Sequence, residues 1–301
     1  MVEELSQAQF DTVYNFLSLV IASQLFTALF LLLNVKKVLP KYRAAIVISA
    51  TVCGIAAYHY FRIFDSFKEA YVTDAIGGAG VYQLAEGVSF NVAYRYVDWL
   101  LTVPLLLLET IAVLALARKT QTSLLVRLVP AAAAMIILGY PGEISDDNTT
   151  KAIWGALSTI PFAYILYVLF VELGRILKGA PKEISVTVRN LRLLLIATWG
   201  VYPIAYMLPM LGIDGSSAFV ARELGYSIAD ILAKALFALV IFRIARLKSA
   251  YDDPDYAQEH DPTTLMLIEE IDGKRPLGVH DADTARTGEK ERAAGAGRPL
   301  T

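Results

Sequence analysis

Seven long apolar segments in a chain of 301 residues predict an all-α fold, a seven-transmembrane helix bundle. Three observations carry that prediction. Hydrophobic residues make up 56% of the chain and charged residues 19%, and the mean hydropathy of +0.50 is high for a water-soluble domain. The apolar residues are gathered into runs close to the ~20 residues a helix needs to cross the hydrocarbon of a bilayer. Finally, Lys and Arg between the runs fall mostly on one side when the runs are threaded back and forth.

The segments lie at about 10–35, 44–64, 90–117, 124–140, 150–177, 186–211 and 218–247. The first follows an acidic Met-Val-Glu-Glu start that lacks the basic region of a secretory signal. After the second comes a long connection, about 65–89. There Ala70-Tyr71-Val72-Thr73 and Val81-Tyr82-Gln83-Leu84, separated by Gly77, Gly78 and Gly80, predict a short β-hairpin. The third segment carries charges and Pro104. The fourth is the shortest, punctuated at its end by Gly139, Tyr140 and Pro141. Pro161 and Pro203 lie inside the fifth and sixth, where each removes a backbone donor that only a packed bundle can make good. The seventh carries Asp230 and Lys234.

Residues 1–250 therefore form one transmembrane domain. Residues 251–301, rich in Asp, Glu, Gly, Pro, Arg and Thr, read as a mostly disordered tail with a short apolar break at Leu265, Met266, Leu267 and Ile268. One side of the threaded chain holds Lys36, Lys37, Lys41, Arg43, Arg118, Lys119, Arg127, Arg175, Lys178, Lys182, Arg189, Arg192, Arg243, Arg246 and Lys248; the other holds only Arg62, Lys68, Lys151 and Arg222. Positive charge stays inside, so the N-terminus is expected outside a cell membrane and the tail in the cytoplasm. Membrane lipid is then the surrounding partner, with a homo-oligomer the expected assembly. A net charge of −2 suggests no nucleic-acid partner, and a lone Cys53 excludes an internal disulfide and any cysteine-cluster metal site.

Six ionisable residues of the apolar segments stand out: His59 in the second, Arg95, Asp98 and Glu109 in the third, Asp230 and Lys234 in the seventh. A charge at bilayer depth is costly and defaults to a functional role with a partner. Asp230 and Lys234 share a helix face at i, i+4, as do Arg95 and Asp98 at i, i+3. Two positive and two negative groups make a balanced four-charge cluster, the arrangement in which buried ions survive. Glu109 is left over. It lies about 16 Å along the helix from Asp98, close to three whole turns, so Asp98, Thr102 and Glu109 face nearly the same way. Set behind Leu105–Leu108, Glu109 is expected to keep its proton at rest. A loaded acid on one side of the lysine and an ionised one on the other are a donor and an acceptor, and the threading places Glu109 toward the cytoplasm and Asp98 toward the outside. Protons would leave the cell. The plain structural alternative is that these carboxylates only knit helices together.

The segment Arg95-Tyr-Val-Asp98-Trp99-Leu-Leu-Thr102-Val-Pro104-Leu-Leu-Leu-Leu-Glu109, followed by Asp230-Ile-Leu-Ala-Lys234, resembles the microbial rhodopsins, and the resemblance spans all seven segments. It implies a transporter, not an enzyme, with all-trans retinal held covalently on Lys234 as a protonated Schiff base and no metal. Asp98 and Asp230 would be counterions, Asp98 the proton acceptor with Thr102 beside it, Arg95 an organiser of water on the outer side, and Glu109 the donor. Asp, Thr and Glu at positions 98, 102 and 109 are similar to the proteorhodopsin-like and xanthorhodopsin-like proton pumps. By the same resemblance Trp99, Trp199, Tyr202, Pro203 and Tyr206 surround the polyene, Met135 and Gly139 hold the ring, and Leu106 sits at a tuning position where Leu accompanies green absorption. Tyr202 would bond Asp230, and His59 would pair with Asp98 and share its proton. Gly155 resembles the glycine that opens a window for a hydroxylated carotenoid antenna, although close helix packing explains a small residue equally. In bacteriorhodopsin a glutamate pair releases the proton; the position matching one of them is Arg222 here, followed by Glu223, and the release group stays open. A sensory rhodopsin of the same fold and a retinal-free seven-helix transporter or receptor are the competing readings; a sensor has no need of Glu109 as a fast donor.

Overall fold

The computed structural model describes residues 2–73, 80–176, 182–213 and 215–272. Helices dominate. α1 (Gln7–Leu33) starts at a reciprocal capping box in which Ser6 Oγ accepts from Gln9 N at 3.3 Å and Gln9 Oε1 accepts from Ser6 N at 2.9 Å. α2 (Pro40–Ala70) opens on a proline, whose fixed φ suits a first helical position. α3 (Ala93–Leu114) ends at Ala115, which adopts a left-handed φ of 47°. α4 (Arg118–Glu143) runs longer than the sequence suggested. Gly139 and Pro141 do not stop it, and it also runs through Pro130.

α5 (Asn148–Tyr167) is capped by Asp147, whose Oδ2 accepts from the Thr150 amide and hydroxyl, both at 2.7 Å. Those Thr150 bonds hold the Asp147 carboxyl below the usual carboxylate range. A π-helical turn, Val168–Glu172, joins α5 to α6 (Leu173–Ile176). The sixth span is α7 (Lys182–Trp199) and, after Gly200, α8 (Val201–Met207). The seventh is α9 (Gly215–Asp230), a π-helical segment Ile231–Leu236, and α10 (Phe237–Asp252).

Consecutive spans pack side by side from α1 to α5, and the ring closes where α9 and the π-helical segment meet α1 and where α10 packs on α7 and α2. Among the described residues six of these rods are long and apolar enough by themselves to cross a bilayer; the seventh carries the buried charges and the π-helical break. Phe26, Leu33, Val126 and Ile160 lie exposed on the outer surface, as side chains facing hydrocarbon should.

The hairpin predicted after α2 is present and gains a strand. β2 (Tyr71–Val72) and β1 (Glu4–Ser6) both pair antiparallel with β3 (Val81–Leu84), in the order β1-β3-β2. Phe10 stacks on Tyr82 at 3.8 Å, and a cluster including Leu5, Phe67, Tyr71, Phe90 and Phe219 lies below the sheet. Gly77 and Gly78, expected to form the turn, lie outside the described residues, as does Lys178.

The tail departs from expectation. Residues just after Asp252 form α11 (Pro254–His260) and α12 (Pro262–Asp272), docked at the end of the bundle that carries the basic loops. Composition hid them because their polar faces dominate the count. Asp253 caps α11 by accepting from Tyr256 N at 2.9 Å. Arg246 holds Asp261 through two bonds of 2.5 and 2.6 Å, Tyr256 donates to the Lys36 carbonyl at 2.6 Å, and Leu265 and Ile268 are buried. Residues 273–301 of the expected tail lie outside the described residues.

The Arg246–Asp261 pair anchors this unit. Arg246→Ala strands a nearly buried carboxylate and should destabilise the docked helices by about 2 kcal/mol, read as faster proteolysis between residues 253 and 262 with the bundle's helix content unchanged.

Candidate functional site

Lys234 stands in the π-helical segment and is 1% exposed. A lysine so deeply buried needs its charge met locally. Its Nζ donates to Asp230 Oδ1 and lies 3.0 Å from Asp98 Oδ2. α3 and the seventh span thus bring together the two aspartates and the lysine that the sequence singled out.

The two aspartates differ in what else they hold. Asp230 accepts from the hydroxyls of Tyr60 and Tyr202, each at 2.5 Å, besides Lys234. Asp98 has no further protein donor among the described residues. Its neighbour Thr102 donates instead to the Asp98 main-chain carbonyl at 2.8 Å, a bond along the helix that leaves the carboxylate untouched. Asp230 is committed as an acceptor, while Asp98 keeps lone pairs free for a proton.

Two expectations need correction. The four-charge cluster does not form, because Arg95 turns away from Asp98 to pair with Glu223 through bonds of 3.2 and 2.5 Å. Both partners are buried, Arg95 packs its guanidinium over Tyr226 at 5.0 Å, and Arg222 Nε lies 3.8 Å from the same carboxylate. A bidentate carboxylate matches the guanidinium fork better than an aspartate one turn along its own helix. Lys234 therefore sits alone between two aspartates. Nor does His59 bond Asp98: it is buried on α2 with Nδ1 lacking a protein partner, edge-on to Tyr58. The α2 residue that does reach the site is Tyr60, one position on and so about 100° round the helix.

Glu109 lies on the same inward face of α3 as Asp98 and is fully buried, with neither carboxyl oxygen hydrogen-bonded by the protein. Buried Ser49 and Cys53 of α2 line the same interior, and the Ser49 hydroxyl is held by the Ala45 carbonyl at 3.0 Å. Glu143 is the last residue of α4 and half-buried.

Beside Lys234 lies a cavity with one side open. Trp99, Leu106, Met135, Gly139, Gly155, Trp199, Tyr202, Pro203, Tyr206 and Asp230 line it, together with Lys234 itself. Tyr96, Val103, Ser158, Phe162 and Tyr226 also line it and were not foreseen. Its apolar, aromatic walls with one amine among them suit an apolar aldehyde such as retinal, with Lys234 the residue to hold it. At Gly155 a Cβ would meet Tyr206 Cε1 at 3.0 Å, so the glycine lets Tyr206 pack close, and the Tyr206 hydroxyl is tied to the Lys151 carbonyl at 2.7 Å.

Residues 11–247 match the family model described as bacteriorhodopsin-like protein. The chain is 30% identical to the green-light absorbing proteorhodopsin of Gamma-proteobacterium EBAC31A08, over 77% of this chain and 86% of that protein. It is 29% identical to archaerhodopsin-2 of Halobacterium sp. (strain aus-2), over 69% of this chain and 75% of that one. Among solved structures, that of xanthorhodopsin, described as a light-driven ion pump with dual chromophore, superposes with a TM-score of 0.78 at 44% identity, covering 84% of this chain and 99% of that one. A thermophilic rhodopsin matches equally, with a TM-score of 0.78, 44% identity, and coverage of 84% of this chain and 100% of the other.

The buried Arg95–Glu223 pair makes its own prediction. Glu223→Ala leaves a guanidinium unpaired in the interior and should cost about 3 kcal/mol; thermal melting followed by circular dichroism measures it, with Glu223→Gln expected to lose less.

Proposed function

The chain belongs to the bacteriorhodopsin-like family of microbial rhodopsins, and from that premise we propose that it is a light-driven pump that carries protons outward across a cell membrane. Retinal joined to Lys234 Nζ as a protonated Schiff base supplies the absorption of light and the change of shape that loosens the proton on that nitrogen. Everything else falls to the chain's own residues.

Asp98 receives the proton. The observation that carries this role is the unequal solvation of the two aspartates: Asp230 already accepts from Tyr60 and Tyr202, whereas Asp98, beside Lys234 Nζ at 3.0 Å, has no competing donor from the protein. Asp230 remains the fixed counter-charge. Glu109, buried without a protein hydrogen bond on the side of the basic loops, resupplies the Lys234 nitrogen. Arg95 and Glu223 stand on the opposite side, so a proton leaving Asp98 meets a buried ion pair before it reaches the loops. With the basic loops facing the cytoplasm, this order of groups moves protons out. Trp99, Trp199, Tyr202, Pro203, Met135 and Gly139 would hold the chromophore in the cavity and keep bulk water from the nitrogen.

A second chromophore is the subsidiary proposal. Gly155 lines the cavity wall, and the xanthorhodopsin structure is described as having a dual chromophore. A hydroxylated carotenoid against Gly155 would pass excitation inward past Tyr206. Absence of energy transfer to retinal after mixing the pigment with such carotenoids would remove this part alone.

Cells expressing the protein with retinal, illuminated in unbuffered medium, should acidify it, and a protonophore should abolish the change. Asp98→Asn should red-shift the pigment and stop transport, because the counter-charge field weakens and the acceptor is gone. Glu109→Gln should keep the colour but slow the return of a proton to Lys234, making recovery depend on external pH. Wild-type recovery in that variant would refute the donor role.

A further inference from the structure

The buried stripe of α1 is apolar except for Gln24, which is fully enclosed. An amide in such a place is costly unless it makes its hydrogen bonds. Gln24 Nε2 donates to the main-chain oxygen of Asp230 at 2.9 Å, while its Oε1 has no protein partner. That carbonyl stands where α9 gives way to the π-helical segment bearing Lys234. At such a junction the ladder shifts from i+4 to i+5 spacing. Leu or Met would fill the same volume in α1, but neither carries a donor for this carbonyl.

We propose that Gln24 is a positioning residue for the charge site: by holding the Asp230 backbone against α1 it sets where the Asp230 carboxylate and the Lys234 nitrogen stand relative to each other and to Asp98. The Asp230 side chain is fixed from α2 by Tyr60 and from α8 by Tyr202. Gln24 fixes the main chain of the same residue from a third direction. Without it, the first turn of the π-helical segment can relax toward α-helical spacing, which moves Asp230 from Lys234 Nζ and weakens the counter-charge there. The inference rests on the retinal reading of Lys234, since its readout is the colour and recovery of the pigment.

The test uses the full chain reconstituted with retinal, comparing wild type with Gln24→Leu and Gln24→Met. Both substitutions remove the donor at similar volume in a lipid-compatible helix, so insertion is not at stake. Both should absorb at longer wavelength than wild type, and their return to the dark pigment after a flash should slow about fivefold, the equivalent of one hydrogen bond of about 1 kcal/mol. Loss of pigment in both variants with helix content unchanged would support the same role. Band and recovery matching wild type, even with an altered melting temperature, would overturn it and leave Gln24 a packing residue. A wild type that stays colourless with retinal overturns the reading of Lys234 instead, a failure that does not depend on position 24.

Discussion

One buried ammonium between two unequally solvated carboxylates is the constraint on which the rest of this structure depends. Lys234 cannot stay charged in a bundle interior without Asp98 and Asp230, and neither aspartate can stay charged without Lys234. The three come from two spans, so ring closure of the helices is also what assembles the charge site. The asymmetry then gives the site a direction. Two tyrosine hydroxyls occupy Asp230 and none occupies Asp98, so a proton released at Lys234 has one open receiver.

Outward from this triad the molecule is organised in layers along its axis. Toward the hairpin end lies a second buried ion pair, Arg95–Glu223, roofed by Tyr226 and Phe90 and by the small sheet. Toward the basic end lies Glu109, buried near Ser49 and Cys53 and without an ionic partner among the described residues. On the proposed reading a transported proton would pass from the buried Glu109 carboxyl, across one cation flanked by two aspartates, to an ion pair. Buried charges that served only to join helices would be paired everywhere; Glu109 has no ionic partner among the described residues, which supports the proposed donor role.

Much of this was legible in the sequence because apolar length and local spacing are one-dimensional signals. The seven spans, the hairpin strands, the Asp98–Glu109 face and the Asp230–Lys234 pair all lie within short stretches of chain. The partners that were missed lie far away in sequence: Glu223 pairs with Arg95 across 128 residues, Tyr60 reaches Asp230 across 170, and Gln24 does so across 206. Neighbouring residues could not reveal them. Arg95 shows the limit most plainly, since its long side chain can serve Asp98 or a residue on another helix, and only the fold decides. The π-helical segments leave no composition signal either, and α12 was hidden because four apolar residues in a polar tail look like chance until Arg246 and Asp261 dock them.

The most direct measurement is a light-minus-dark infrared difference spectrum of the retinal-loaded pigment, with Asp98→Asn and Asp230→Asn to assign the carboxyl bands. The account predicts a new protonated-carboxyl band that disappears in Asp98→Asn and survives in Asp230→Asn. A band lost only in Asp230→Asn would contradict it, because the proton would then have gone to the aspartate that two tyrosines already hold.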